Sequence, residues 1–510
     1  MSGKITRSVV SGAAWSGISQ IVSQGLRFVS IIFLARILTP EDFGLIAMVS
    51  IITTIAGNLI DFGFIEVLIQ RKEITRQHLV TSFWVILMTG TLLCILVVSL
   101  SHLISLFFND SRVGPLLSVT SIIFIIQSSA AVHSALLRRK LLFFQAALAD
   151  MADAFGYILG ALSAAYAGLG VWSLVIGNIC GNTPGVILRW ILSGWRPGFS
   201  FHLSSFQDLW KFGLNILGTR LVYITLDKLD YLVLGKFLLP AALGFYSQAF
   251  RIARIPSDSL GAIGNRVILP ALSLVQDENQ RLQQALLRGE SFLSIIGLPL
   301  FFGMAVVAPE LVLVLIGSQW IPSILPLRVL CISGAIAVLN IGVPAVFLAK
   351  GKPGVNLKLS LLQMGLLIPS LLFAVRYGIL GVSITVSAIS LIVWLVRQIF
   401  VHQVINLSFK NYLLSLRPAL IASLIMTIGL LILRYLLNQF FNPSVLVLLV
   451  LDLFWGAALY IASLKIGRSR AFAEIISLLS EMLHPLWKSA GLHNPNQDHK
   501  TARSKPYRES

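Results

Sequence analysis

Charge is scarce in this sequence. Only 12% of its 510 residues are Asp, Glu, Lys or Arg, against about 25% in a soluble chain. That excludes a water-solvated globule of this size and makes lipid the solvent. Acidic residues are scarcer still, 21 against 39 Lys and Arg. Cysteine is nearly missing. Cys94, Cys180 and Cys331 lie far apart in apolar runs, which excludes a disulfide framework and leaves them as small packing residues. The eight His residues show no metal-ligand spacing, and no nucleophile motif surrounds any Ser. No metal, cofactor or catalytic residue is expected.

What remains is apolar: 56% of the chain, with a mean hydropathy of +0.86. A bilayer core about 30 Å thick needs ~20 apolar residues per helix. Fourteen runs meet that length. The first six are 10–36, 43–70, 79–108, 113–137, 142–167 and 170–190. The other eight are 206–235, 241–275, 284–308, 322–349, 356–376, 379–401, 414–436 and 443–464. The runs are continuous rather than alternating, so the expected class is all-α with about fourteen transmembrane helices, not a barrel. Lys4 and Arg7 before the long first run read as a retained anchor rather than a cleaved signal.

The net charge of +18 points to membrane topology rather than nucleic acid. With a cytoplasmic N-terminus, most Lys and Arg fall in inner connections, from Arg71, Lys72 and Arg76 through Arg138, Arg139 and Lys140 to Lys350, Lys352 and Arg397. The outer turns hold Arg36, Arg112, Lys236, Arg376 and Arg434. That bias follows the positive-inside rule and places both termini in the cytoplasm. The apolar positions of 471–487 recur at helical spacing, which fits a helix lying on the membrane. Residues 488–510 are polar and read as disordered.

A repeat organises the chain. Phe33–Gly44 aligns with Val233–Gly244 at an offset of 200, bringing Pro40 onto Pro240, Gly44 onto Gly244 and Arg36 onto Lys236. A second echo links Tyr166–Val171 with Tyr377–Val382. The expected plan is two six-helix bundles, 1–200 and 201–405, in parallel orientation around a central cavity. A terminal helix pair, 406–466, and a cytoplasmic tail, 467–510, follow. Transporters use such repeats, with the substrate between them.

Ionisable residues at membrane depth face a cavity or a partner. Gln20 and Arg27 share one face of the first run with Ser16 and Ser23. Arg220, Tyr223, Asp227 and Asp230 share a face of the seventh. Arg251, Arg254, Asp258 and Arg266 fall within an arc of roughly 120° on the eighth. The substrate-binding candidates are therefore Gln20, Arg27, Arg220, Tyr223, Arg251, Arg254 and Arg266; arginine offers a planar fork for phosphate oxygens. The competing reading is structural arginines tied to carbonyls or lipid headgroups. The offset of 200 also matches Arg27 with Asp227 and Glu66 with Arg266, opposite charges that could gate a cleft. Asp258 joins Glu66 and Asp227 as a gate or ion-pair candidate. The competing reading pairs each charge within its own half, as Arg254 with Asp258 or Arg220 with Asp227. Asp150 and Asp153, beside Tyr157 on the fifth run, could carry a coupling proton or sodium, or could pair with basic neighbours.

Several stretches resemble a known family. Trp15–Gln20, Arg36–Gly44, Asp61–Gln70, Asp227–Lys236, Ala242–Ala249, Ile268–Ser273 and Gly317-Ser-Gln-Trp320 are similar to the polysaccharide transporter family, the Wzx-type flippases of the multidrug/oligosaccharidyl-lipid/polysaccharide flippase superfamily. The match is similar to the colanic-acid and teichuronic-acid exporter branch and covers roughly residues 5–465. It implies two helical bundles around a cavity and alternating access. It also implies export of polysaccharide precursors by flipping undecaprenyl-diphosphate-linked oligosaccharides across a bacterial inner membrane. Membrane lipids and the polysaccharide polymerase and export machinery would be partners, and nucleic acid would not. Two rivals stand. A multidrug exporter of the superfamily would favour an acidic cleft. A membrane polymerase, ligase or glycosyltransferase would need sizeable outer loops, and here the longest, 308–322, carries only Glu310 as a charge.

Overall fold

The computed structural model describes residues 2–71, 73–441, 443–467, 472–474 and 477, with backbone alone for 2–14, 16, 18, 21, 211–216 and 219. Every described regular element is helical. In chain order the first group is α1 (Ser2–Ile37), α2 (Pro40–Gly57), α3 (Phe64–Gln70), α4 (Arg76–Phe108), α5 (Val113–Thr120) and α6 (Ile122–Arg139). Then come α7 (Phe143–Tyr166), α8 (Trp172–Cys180), α9 (Thr183–Ser193), α10 (Leu203–Phe237), α11 (Pro240–Leu274) and α12 (Asn279–Leu315). The last are α13 (Ile324–Val338), α14 (Val343–Ala349), α15 (Pro353–Ala374), α16 (Gly378–Ile405), α17 (Phe409–Phe440) and α18 (Val445–Ile466).

Each expected run is thus a helix or a broken helix. Four runs are broken, and local chemistry accounts for the clearest cases. In the second, α2 ends at Gly57, and Phe62 and Gly63 take left-handed backbone at φ 45° and 77° just before α3 starts. In the sixth, Gly181 and Asn182 separate α8 from α9, and Pro184 opens α9 where its missing N–H costs nothing. Eight helical stretches among the described residues are long and apolar enough to cross a membrane, and one of them, 353–405, covers both α15 and α16. The chain is an all-α integral membrane protein. The stretch 471–487 lies outside the described residues but for 472–474 and 477, and 488–510 lies wholly outside them.

The repeat is visible in the helix ends. α1 stops at Ile37 and α10 at Phe237; α2 starts at Pro40 and α11 at Pro240. Proline fits both starts, because a first-turn N–H has no helical acceptor anyway. Thr39 adds a capping box. Its hydroxyl accepts from the Asp42 N–H at 3.3 Å, and the Asp42 carboxylate accepts from the Thr39 N–H at 2.9 Å. Leu239 at the equivalent place offers no such cap.

The described chain forms two compact units. The first comprises residues 1–255, 307–336 and 352–397; the second comprises 256–306, 337–351 and 398–510. In the first, α1 packs on α7, α7 on α8 and α9, and α4 on α5 and α6. Small residues allow the close approaches. A Cβ on Gly156 or Gly160 would strike Cys180, and one on Gly177 would strike Ala161. Cys180 is thus a packing residue between α7 and α8. Cys94 is buried with its Sγ 3.3 Å from the Ser121 hydroxyl. Beyond α4, Asp110 receives two bonds from the Arg112 guanidinium, which holds its carboxyl below the usual range.

In the second unit α17 and α18 are clamped by an ion pair. Arg434 donates through Nε and Nη2 to the Asp452 carboxylate at 2.9 and 2.7 Å, and Asp452 is 1% exposed. Arg434, expected in an outer turn, therefore lies within α17. Removing one partner of a buried pair costs about 3–5 kcal/mol, while replacing both by apolar residues is often neutral. Arg434→Leu is expected to lower the melting temperature in detergent sharply. Arg434→Leu with Asp452→Leu should recover most of the loss. In the same unit Glu290 of α12 is fully buried and accepts the Gly342 N–H at 2.7 Å, where α14 begins.

Candidate functional site

All of the first site lies within the first unit. Its foundation is one sealed end. The N-termini of α2 and α11 cross so closely that a Cβ on Gly44 would overlap the Pro240 carbonyl, and a Cβ on Gly244 the Pro40 carbonyl. The two copies of the repeat thus meet at their matched prolines and glycines. Trp320, fully buried, stands edge-on to Phe43 at 5.3 Å and Phe245 at 6.0 Å.

Two helix C-termini cap each other at this end. Arg36 of α1 donates to the Val314 and Leu315 carbonyls that close α12, the latter at 3.2 Å. In return Gln319 donates to the Leu38 carbonyl at 3.1 Å, and both Gln319 and Trp320 donate to Ala35, at 2.5 and 2.8 Å. Terminal carbonyls need such donors, and a cation beside them also complements the helix dipole. This gives Arg36 and the Gly317-Ser-Gln-Trp320 motif a structural task. The region expected as an outer loop, 308–322, is mostly helix, because α12 runs on to Leu315.

Arg27 and Arg251 lie deeper, from different copies of the repeat. Arg27 is ten residues before the end of α1, and Arg251 eleven after the start of α11. At 1.5 Å per residue both sit about 15 Å along their helices from the sealed end. Both are exposed, and among the described residues neither has an ion-pair partner. The expected Arg27–Asp227 pairing is not what is observed. Asp227 instead takes Arg254, one α11 turn from Arg251, and Lys228 at 3.1 Å. The seventh and eighth runs are adjacent helices, so the local partner reaches Asp227 first.

Asp230 is buried and belongs to the α10–α11 seam. It accepts the Tyr246 hydroxyl at 2.5 Å and the Tyr231 N–H at 2.9 Å. Arg220 turns the other way. Its guanidinium bonds Asp61 at 3.0 Å and Glu66 at 2.5 Å. Those carboxylates flank the left-handed turn at Phe62–Gly63, which brings both toward α10. So Glu66 takes Arg220 where the offset of 200 suggested Arg266. Phe62 and Trp210 at 5.1 Å, and Phe64 and Phe206 at 6.2 Å, close the same contact.

Asp150 and Asp153 share one cation. Arg189 of α9 bonds them at 2.7 and 2.9 Å, and Asp153 also accepts the Gly185 N–H at 2.8 Å. Gln20 is half-buried in α1, and Tyr223 is exposed on α10. Asp258 and Arg266 are exposed in the second unit.

One arginine escaped the sequence reading. Arg397 was expected in an inner connection, but α16 continues to Ile405, and Arg397 is only 7% exposed within it. Its Nε has no hydrogen-bond partner among the described residues. The available signal was its place in the apolar stretch that extends beyond 401.

Comparison with known proteins places this geometry. The family model described as "Polysaccharide biosynthesis protein" matches residues 33–325. The chain is 27% identical over 421 residues to the lipopolysaccharide biosynthesis protein WzxC of Escherichia coli (strain K12), covering 81% of this chain and 85% of that protein. It is 28% identical over 429 residues to the teichuronic acid biosynthesis protein TuaB of Bacillus subtilis (strain 168), covering 82% and 88%. In fold it is similar to the lipid II flippase MurJ in an inward closed conformation, with a TM-score of 0.74 at 16% identity, over 90% of this chain and 99% of that one. A family model that accounts for more than half of the sequence settles its membership: the chain belongs to the polysaccharide biosynthesis protein family.

Proposed function

We propose that the protein flips polyprenyl-diphosphate-linked oligosaccharides across a bacterial inner membrane by alternating access, supplying precursors for an exported polysaccharide. The observation that carries this reading is the pair Arg27 and Arg251. Two exposed guanidiniums read as lying at membrane depth, from the two repeats and with no carboxylate partner among the described residues, require an anion or water beside them. A diphosphate supplies four or more acceptor oxygens for such forks. The names of the relatives favour a glycan-bearing lipid over a cationic drug, and the basic site agrees. The positive-inside bias puts the sealed Pro40/Pro240 end outside and both termini in the cytoplasm. The remaining cavity candidates of the first unit, Gln20, Tyr223 and Arg254, would contact the same substrate. Asp150 and Asp153, tied by Arg189, would couple transport only by releasing that arginine.

The test is reconstitution in vesicles with a labelled undecaprenyl-diphosphate oligosaccharide. A hydrogen bond to a charged group contributes about 1.5–3 kcal/mol. Arg27→Gln or Arg251→Gln should therefore cut transport on the order of 10- to 100-fold, with the protein still folded. Equal transport by wild type and both variants would remove the diphosphate site. No transport by wild type would remove the flippase reading itself.

A further inference from the structure

The first bundle holds a cavity of about 470 Å³, within the range of small-ligand sites. It opens between α2, α6 and α8 and is lined by Asn58, Gln127, Asn178 and Asn182, with Ser50 and Thr53 beside them. Among the described residues, no Asp, Glu, Lys or Arg lines it. Amides at membrane depth are costly unless paired, and here each amide donates one N–H within the protein. Asn58 donates to the Thr54 carbonyl at 2.8 Å, Asn178 to Leu174 at 2.9 Å and Asn182 to Asn178 at 2.7 Å. Gln127 donates to the Asn182 side-chain oxygen at 2.9 Å. That arrangement holds the amide planes fixed and leaves the carbonyl oxygens of Asn58, Gln127 and Asn178 as acceptors, with the Ser50 and Thr53 hydroxyls near them.

A row of fixed neutral acceptors and hydroxyls matches a ligand with many hydroxyl groups and no net charge. We infer that this cavity is a binding subsite for neutral sugar residues. The inference deepens the flippase reading and rests on it for the source of the sugar. The position agrees. Gly181, next to Asn182, lets Tyr157 of α7 approach so closely that a Cβ there would strike the Tyr157 Cβ. The same helix α7 packs on α1, which carries Arg27. Diphosphate and glycan sites would thus flank α7, as the two parts of one substrate require.

The experiment is saturation-transfer NMR on the purified full-length protein in detergent, with lactose, maltose and glucuronate as separate probes. Transfer to lactose or maltose that exceeds transfer to glucuronate is expected. It should fall at least 5-fold in Gln127→Leu and Asn178→Leu, and in the milder Thr53→Val should fall less, with melting temperatures close to wild type. No transfer to the neutral sugars, transfer that survives Gln127→Leu and Asn178→Leu, or stronger transfer to glucuronate would overturn the proposal. If Gln127→Leu or Asn178→Leu fails to fold, Thr53→Val decides, and unchanged transfer there overturns it. Binding is read without transport. A protein that binds neutral sugars but moves no lipid-linked oligosaccharide would refute the flippase reading alone.

Discussion

Gly44→Val is expected to break the seal at the Pro40/Pro240 end and to abolish transport. The reason is backbone against backbone. The atom that a Cβ on Gly44 would strike is the Pro240 carbonyl, which no side-chain rotation can move. Overpacking of a close contact costs typically 1–3 kcal/mol, and here relief requires separating two helices. Taking about 3 kcal/mol, the sealed state loses roughly 100-fold in population relative to an open one. Ser247, one α11 turn from Gly244, is buried and donates to the Gly244 carbonyl. With Cys94, Cys180 and Cys331 replaced by Ala, a Ser247→Cys reporter should react with a water-soluble maleimide on the order of 100-fold faster in the Gly44→Val background. Gly244→Val should do the same, since the contact is reciprocal. Gly25→Ala is the control, because a Cβ there meets nothing. An unchanged labelling rate in folded Gly44→Val protein would show that this crossing is not a gate.

The helical runs and the repeat were legible because each rests on local chemistry. Apolar length gives helices in lipid, and Pro40 and Pro240 mark helix starts wherever they occur. The match of Gly44 to Gly244 also held its meaning, since two glycines at one offset signal two backbones that come close. Partner choice was less legible. Matching charges at an offset of 200 assumes that equivalent residues face each other across an axis. That is true of Gly44 and Gly244, which sit at the crossing itself. It does not describe Asp227, whose neighbour α11 offers Arg254 within the same hairpin. Nor does it describe Glu66, which follows the left-handed turn at Phe62–Gly63 and takes Arg220 of α10. Arg397 was misplaced for a simpler reason: a basic residue near the end of an apolar run reads as a loop residue unless the helix is known to continue.

The cavity residues show a further limit of sequence patterns. Asn58, Gln127 and the pair Asn178 and Asn182 come from three separate segments, and none carries charge. Single amides in apolar runs look like interruptions of a span. Only packing brings them to one wall, and only the hydrogen bonds that fix their N–H groups reveal which atoms remain for a ligand.

Arg220 is the residue on which two roles compete, and a charge swap separates them. Read from sequence it is one of five cleft arginines; in the structure both of its carboxylate partners, Asp61 and Glu66, come from the other repeat. A guanidinium held by two carboxylates has few donors left for phosphate, so the latch role is expected to dominate. Arg220→Gln leaves the two carboxylates facing each other and α10 without its tie. For a fully buried group the loss would be about 3–5 kcal/mol. Arg220 is 26% exposed and Glu66 34%, so about 2 kcal/mol is the better expectation, or roughly 30-fold in the balance between joined and parted states. Transport should fall by a similar factor. Arg220→Glu should fall further, with three carboxylates together. Combining Arg220→Glu with Glu66→Arg restores one opposite-charge pair and should recover at least a third of wild-type transport, with the half-saturating substrate concentration near wild type. A diphosphate ligand would behave otherwise: the swap would leave transport as low as Arg220→Glu alone and raise the half-saturating concentration, because a guanidinium on α3 stands at a different place in the site. Rescue therefore makes Arg220 a gate that joins the repeats, and failure of rescue returns it to the substrate.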